Sequence, residues 1–217
     1  MKEILYLGTS LRNFPRKEEA IHYPVIKLIP KNITDERVVI CLKKIKSFSH
    51  FLFTSKNTVD ILWDLCEKLS IDPISSLEGR SVSIGDFTTN ALREKGVEPA
   101  WQSLDSTQEG LINLLQKVLL KESYVFYPRS SLARSLLLDF LIESNVKHEA
   151  LDLYDTVYQA PDPKPILSQI SEIFFSSPST VEGFFKAFDA VPKGVSVSFQ
   201  GPITRKKFFE KIDFSVD

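Results

Sequence analysis

The chain has 217 residues, 43% of them hydrophobic and 25% charged, which suits one large globular domain or two small ones. A formal net charge of −1 argues against a general nucleic-acid binder, which carries a basic excess, but leaves room for a small anion held by a few local donors. No apolar run reaches the roughly 18–20 residues that cross a bilayer, and Cys41 and Cys66 lack metal-ligand spacing, as reduced intracellular thiols do.

In chain order, Lys2–Leu7 reads as a strand too short for a signal-peptide core, so a cytoplasmic protein is expected. Phe51–Phe53, Ser81–Ile84, Ser123–Tyr127, Ile173–Phe175 and Val195–Phe199 are further short apolar strands. Between them, Val59, Leu62, Leu65, Cys66 and Leu69 recur at helical spacing. Leu111, Leu114, Leu115, Val118 and Leu119 form a second stripe, and Leu132, Leu136, Leu137, Phe140 and Leu141 a third. Ser106-Thr107-Gln108-Glu109 has capping-box spacing at the start of the second. Strands alternating with helices predict an α/β fold with parallel sheets.

An internal repeat carries the most information. Phe53-Thr54-Ser55-Lys56-Asn57-Thr58-Val59-Asp60 echoes Phe175-Ser176-Ser177-Pro178-Ser179-Thr180-Val181-Glu182, and Ile84-Gly85-Asp86-Phe87-Thr88 answers Gln200-Gly201-Pro202-Ile203-Thr204. A weaker pair matches Leu7-Gly8-Thr9-Ser10 to Tyr127-Pro128-Arg129-Ser130. A tandem duplication would cut the chain just before Ser123, yet Thr107–Leu120 reads as one uninterrupted helix. The proline-bearing stretches Pro24–Asp35 and Gln159–Pro165 make better connections. Cutting there yields an inserted domain over 36–155, a discontinuous domain from 1–30 and 162–217, and linkers at 31–35 and 156–161.

Ser55 and Ser177 read as helix N-caps, with Pro178 suited to the first helical position. Such a serine can be a cap and nothing more. Helix N-termini at the carboxyl ends of parallel strands also present free N–H groups to anions. Thr88 and Thr204 stand in comparable places after Gly85 and Gly201, where glycine permits close backbone approach. Four such loops on two lobes favour a shared binding cleft. Nucleotide, phosphate and zinc motifs are missing, and His22, His50 and His148 are scattered, so neither a metal site nor a Ser–His dyad is expected. Chemistry then falls to positioning, hydrogen bonding, and a tyrosine or carboxyl acid.

Several blocks resemble those of the uroporphyrinogen-III synthase family. They are Phe51–Ser55, Ser83–Leu92, Ile173–Val181, Phe126-Tyr127-Pro128-Arg129, Leu153-Tyr154-Asp155-Thr156-Val157-Tyr158 and the Thr107–Leu115 segment. The resemblance implies two flavodoxin-like parallel-sheet lobes joined by a two-stranded linker, with the first domain discontinuous. It implies a cytosolic, cofactor-free cyclisation of hydroxymethylbilane to uroporphyrinogen III, with loss of water and inversion of ring D. Composition and motifs by themselves lead to no metal, nucleic-acid or membrane partner being expected, and with no interface patch in view a monomer is the default. The linear tetrapyrrole substrate is an octacarboxylate, which helix N-termini and backbone donors suit.

By the same resemblance Tyr154 is the acid that protonates the departing hydroxyl; a phenol with a pKa near ~10 is protonated at neutral pH. Thr54, Ser55, Thr88, Ser177, Thr204 and Arg129 would bind substrate and enforce the folded conformation that gives the inverted isomer. Two plainer readings stand beside these: Tyr154 as a half-buried linker aromatic and Arg129 as a solvated loop charge. Ile203 replaces a hydroxyl residue usual in the family, and the discontinuous domain is expected to be trimmed at both ends. The alternatives are a non-catalytic bilobal module that binds an anionic small molecule, and another α/β enzyme acting on a small anion.

Overall fold

The structure is a computed structural model that describes residues 3–213 apart from residues 13 and 120. In chain order the elements are β1 (Ile4–Tyr6), β2 (Ala20–His22), β3 (Ile26–Pro30), α1 (Glu36–Lys43), β4 (His50–Phe53) and α2 (Lys56–Lys68). Then come α3 (Ile74–Leu77), β5 (Ser81–Ser83), α4 (Asp86–Glu94), β6 (Trp101–Gln102), α5 (Gln108–Val118) and β7 (Tyr124–Ser130). The last are α6 (Leu136–Glu143), β8 (Lys147–Tyr158), β9 (Glu172–Phe175), α7 (Pro178–Ala187), β10 (Ser196–Phe199) and α8 (Pro202–Asp213).

The chain forms two compact units, one from residues up to Ile29 with those from Thr156 onward, the other from Pro30–Asp155. The chain passes from one to the other inside β3 and returns inside β8. The first unit holds a sheet in the order β10-β9-β1-β2, parallel at every pairing. The six-stranded sheet runs β3-β8-β7-β4-β5-β6, with parallel pairing from β8 to β6. Apart from β3, which lies at the far edge beside β8, the chain in each sheet fills one side and then the other. The order reverses between β1 and β9 in the first sheet and between β4 and β7 in the second. Each sheet therefore has a topological switch point, where ligands of parallel α/β folds bind outside the strands' carboxyl ends.

Each core is built on the expected stripes. Val59, Leu62, Leu65 and Cys66 bury one face of α2, and Leu111, Leu115, Leu137 and Leu141 pack with Leu52, Val82, Val125 and Tyr127. Phe175, Phe184, Phe199 and Phe208 form an aromatic cluster in the first unit. Strands β2 and β6 were not expected, and β3 and β8 were anticipated only as the two-stranded linker that the resemblance implies. Strands β2, β3 and β6 lie at sheet edges, are short, and expose much of their length, so their apolar signal is weak. In β8 the charged residues Lys147, Glu149, Asp152 and Asp155 hide the pattern.

Local details also moved. Thr107, not Ser106, caps α5, accepting from the Gly110 N–H, while Glu109 pairs with Arg134 through two hydrogen bonds of 2.8 and 3.0 Å. Leu132 stands exposed before α6 begins, outside the stripe assigned to it. Lys2 and Leu120, expected within a strand and a helix, lie outside the described residues.

Register corrects the weakest of the three repeat pairs. Leu5 lies opposite Ile173 and Tyr6 opposite Phe174, whereas Phe126 lies opposite Phe51. Because Phe53 answers Phe175, Phe51 answers Ile173, and so Leu5 corresponds to Phe126 and Tyr6 to Tyr127. The match of Leu7 to Tyr127 was one residue out. Side chains alternate along a strand, so that slip would have assigned Tyr127 the opposite face.

Candidate active site

The second unit gathers four of the expected residues near the β4/β7 switch point. Thr54 directly follows β4, and Ser55 caps α2, accepting from the Asn57 N–H at 3.2 Å. The Ser55 hydroxyl proton stays available for a further acceptor. Arg129 and Tyr154 come from the neighbouring strands β7 and β8. Their register is regular to Arg129 opposite Asp152, and then Ser130 faces Tyr154 because β8 carries one extra residue, Leu153. A bulge of this kind re-aims the side chain beside it. The Lys31 N–H uses the Leu153 carbonyl at 2.7 Å, and the Ser131 N–H uses that of Tyr154 at 3.0 Å.

Tyr154 is buried, with 4% of its surface exposed. The plainer reading of Arg129 as a solvated loop charge does not hold. It lies on β7 with 13% of its side chain exposed, and its Nε donates to Asp152 Oδ1 at 2.8 Å. Its Nη1 is buried without a hydrogen-bond partner. The Tyr127 hydroxyl is also buried and unpartnered. Burial pushes this phenol up; the Thr54 hydroxyl and the Arg129 guanidinium, which sits over its ring, oppose that shift, and Tyr154 adds to it. Two buried donors lacking acceptors, within one cluster and beside a buried tyrosine, form a place where an acceptor-rich ligand is favoured.

The sequence alone assigns Tyr127 no role; its place at the end of an apolar strand, two residues before Arg129, was the available signal. Lys56 was missed as well. At the first position of α2, burial holds its amine below the ordinary lysine range, opposed by Asp60 and Glu94.

Thr88 and Thr204 both occupy the third position of their helices, α4 and α8, and both are buried. The Thr204 hydroxyl donates to the Gln200 carbonyl at 3.2 Å. The glycines ahead of them serve different ends. Gly201 has φ +91°, which favours glycine, while a Cβ on Gly85 would collide with the Ser106 hydroxyl rather than leave room for a ligand. Ile203 is half-buried on α8.

In the first unit Ser177 caps α7 in a full capping box. Its hydroxyl accepts from the Thr180 N–H, and the Thr180 hydroxyl accepts from the Ser177 N–H at 3.1 Å. Nearby, at the β1/β9 switch point, Tyr6 is buried between Phe14 and Phe174. A Cβ on Gly8 would lie 2.6 Å from both the Tyr6 hydroxyl and the Ser176 hydroxyl, so the two converge above that glycine. Burial pushes the Tyr6 phenol up, and Ser176 opposes it.

Other reactive groups are engaged in structure. His50 Nδ1 contacts Ser49 Oγ at 2.9 Å, but that hydroxyl also bonds the Tyr124 carbonyl and N–H at the start of β7, so the pair ties two strands together. Both cysteines are buried, and desolvation pushes the Cys66 thiol to about 12. Among the described residues no helix is long and apolar enough to cross a membrane.

A parallel α/β protein with hydroxyl-rich strand ends and a buried Tyr–Arg–Tyr cluster is the class that fold and site define. A family model described as uroporphyrinogen-III synthase HemD matches residues 16–216, and the chain belongs to that family. A porphyrin biosynthesis protein HemD from Ruminiclostridium josui is 24% identical over 180 residues, covering 80% of this chain and 35% of that protein. The chain thus spans about a third of the length of the curated relative it matches. In fold it is similar to a variant of uroporphyrinogen III synthase from Thermus thermophilus, with TM-score 0.65, 19% identity, and coverage of 97% of this chain and 89% of that one. The uroporphyrinogen-III synthetase of Helicobacter pylori is similar to the same degree, with TM-score 0.64, 19% identity, and 97% and 89% coverage.

Proposed function

We propose that the chain cyclises hydroxymethylbilane to uroporphyrinogen III, with loss of water and inversion of ring D. The observation that carries this reading is the cluster of Tyr154, Tyr127, Arg129 and Thr54, in a chain that belongs to the synthase family over nearly its whole length. Tyr154 donates its proton to the departing hydroxyl, leaving an electrophilic methylene that ring D attacks to give a spiro intermediate. Arg129 Nη1, the Tyr127 phenol and the Ser55 hydroxyl are donors without a committed acceptor, and they suit carboxylate arms of the substrate. Thr54, Thr88, Ser177 and Thr204 supply further hydroxyls at strand and helix ends. Their task is to hold the linear substrate in the conformation that leads to inversion, since unguided closure gives the other isomer.

The protein acts as a cytoplasmic monomer, with one domain over 36–155 inserted in the other and no cofactor. Conversion of hydroxymethylbilane, with the product isomers separated, tests the function. The type III isomer is expected without added metal or nucleotide, and type I alone at the spontaneous rate would refute the assignment. Tyr154→Phe should lower kcat at least about a hundredfold with the fold intact; near-normal turnover would remove Tyr154 from the acid role.

A further inference from the structure

The two switch points carry the same pair of side chains. In the second unit Tyr127 lies on β7, the neighbour of β4, and Thr54 directly follows β4. In the first, Tyr6 ends β1 and accompanies Ser176 at the end of β9. The strand registers make Tyr6 the counterpart of Tyr127, and the repeat makes Ser176 the counterpart of Thr54. Each tyrosine is buried, at 4% and 0% exposure, while Thr54 and Ser176 stay partly accessible. Neither pair is needed to cap a helix, because Ser55 and Ser177 do that.

We propose that Tyr6 is a positioning residue, whose buried phenol sets the Ser176 hydroxyl to receive a carboxylate arm of the substrate. Gly8 is part of the device, since any side chain there would push the Tyr6 and Ser176 oxygens apart. The aromatic bed of Phe14 and Phe174 holds the Tyr6 ring where its oxygen reaches that point. A phenol kept protonated by burial can donate to the small hydroxyl, which then turns its own proton outward to a carboxylate.

The inference rests on the proposed tetrapyrrole chemistry for its ligand, and the test separates the two. Tyr6→Phe, Ser176→Ala and their double variant are measured for type III formation, for binding of uroporphyrin III as a stable octacarboxylate, and for thermal unfolding. Phenylalanine preserves the packing with Phe14 and Phe174, so a merely structural tyrosine predicts unchanged binding. Each single variant is expected to raise KM and the uroporphyrin Kd about fivefold to tenfold at nearly constant kcat. The double variant should be no worse than the worse single one, because the phenol acts through Ser176.

A Tyr6→Phe protein with parental KM and Kd, or a double variant in which the two losses multiply, overturns the inference. Uroporphyrin binding that Tyr6→Phe weakens, in a protein that makes no type III isomer, would refute the proposed function and leave the positioning pair standing. Normal type III synthesis by Tyr6→Phe with unchanged KM would do the reverse. A parent protein that neither binds uroporphyrin III nor turns over hydroxymethylbilane overturns both.

Discussion

Tyr127→Phe should make the protein more stable and its substrate binding worse. The Tyr127 side chain is fully buried among Leu52, Val82, Val125 and Leu141, and its hydroxyl lacks a hydrogen-bond partner. A buried, unsatisfied donor costs about 1–3 kcal/mol relative to water, so removing it recovers part of that sum. The small void left by the oxygen takes back about 0.5 kcal/mol. The ring stays, and so does its contact with the Arg129 guanidinium 5.8 Å from the centroid. A net gain of about 1 kcal/mol is expected, or roughly 2–4 °C in midpoint for a chain of this size.

Both tryptophans, Trp63 and Trp101, lie in the unit that carries Tyr127, so urea unfolding followed by their fluorescence reports on it. The same variant should show a raised KM, the trade-off expected where a site keeps a donor unsatisfied for its ligand. A loss of stability of about 1 kcal/mol or more would mean that the hydroxyl is satisfied in the free protein, and would refute the reasoning.

Two further outcomes test the fold's local chemistry. Gly183→Ala gains about 1 kcal/mol of helix propensity in α7 but drives a Cβ to 2.7 Å from the Val25 carbonyl oxygen, where backbone cannot easily yield. A net loss of about 1–2 kcal/mol is expected in denaturation followed by circular dichroism, and a gain would show that the Val25 turn gives way. Glu149 accepts from Lys44 Nζ at 2.6 Å and from the Tyr124 hydroxyl at 3.1 Å, and these bonds, the Lys44 one foremost, hold its carboxyl below its ordinary value of 4.5. A lowered folded-state value means stability present above about pH 4.5 and lost as pH falls through the folded value. Glu149→Gln should therefore flatten the acid limb of a stability–pH curve by about 1 kcal/mol, and an unchanged limb would dismiss the pair as a stabilising contact.

The local rules were legible in the chain itself. Ser55 and Ser177 cap helices, Pro178 sits at the first helical turn, and the α2 and α5 stripes face the core, because capping and helical period depend on residues a few positions apart. The repeat of Phe53–Asp60 in Phe175–Glu182 was equally plain, and it marked both strand-to-helix loops. What lay out of reach was decided by pairing between distant segments. Strands β2, β3 and β6 hold together through their neighbours more than through their own residues, so a short exposed edge leaves little pattern to read.

Arg129 looked like a loop charge until β8 folded alongside β7 and supplied Asp152. The correspondence of Tyr6 with Tyr127 needed the registers of β1 on β9 and of β7 on β4, since one residue of slip reverses a strand's faces and the aligned letters alone had favoured Leu7. The chain by itself established an α/β protein with twin hydroxyl loops. Only the packed sheets decided which buried phenols stand beside those loops, because that depends on register between strand residues 168 apart in the chain for Leu5 and Ile173 and 75 apart for Phe51 and Phe126.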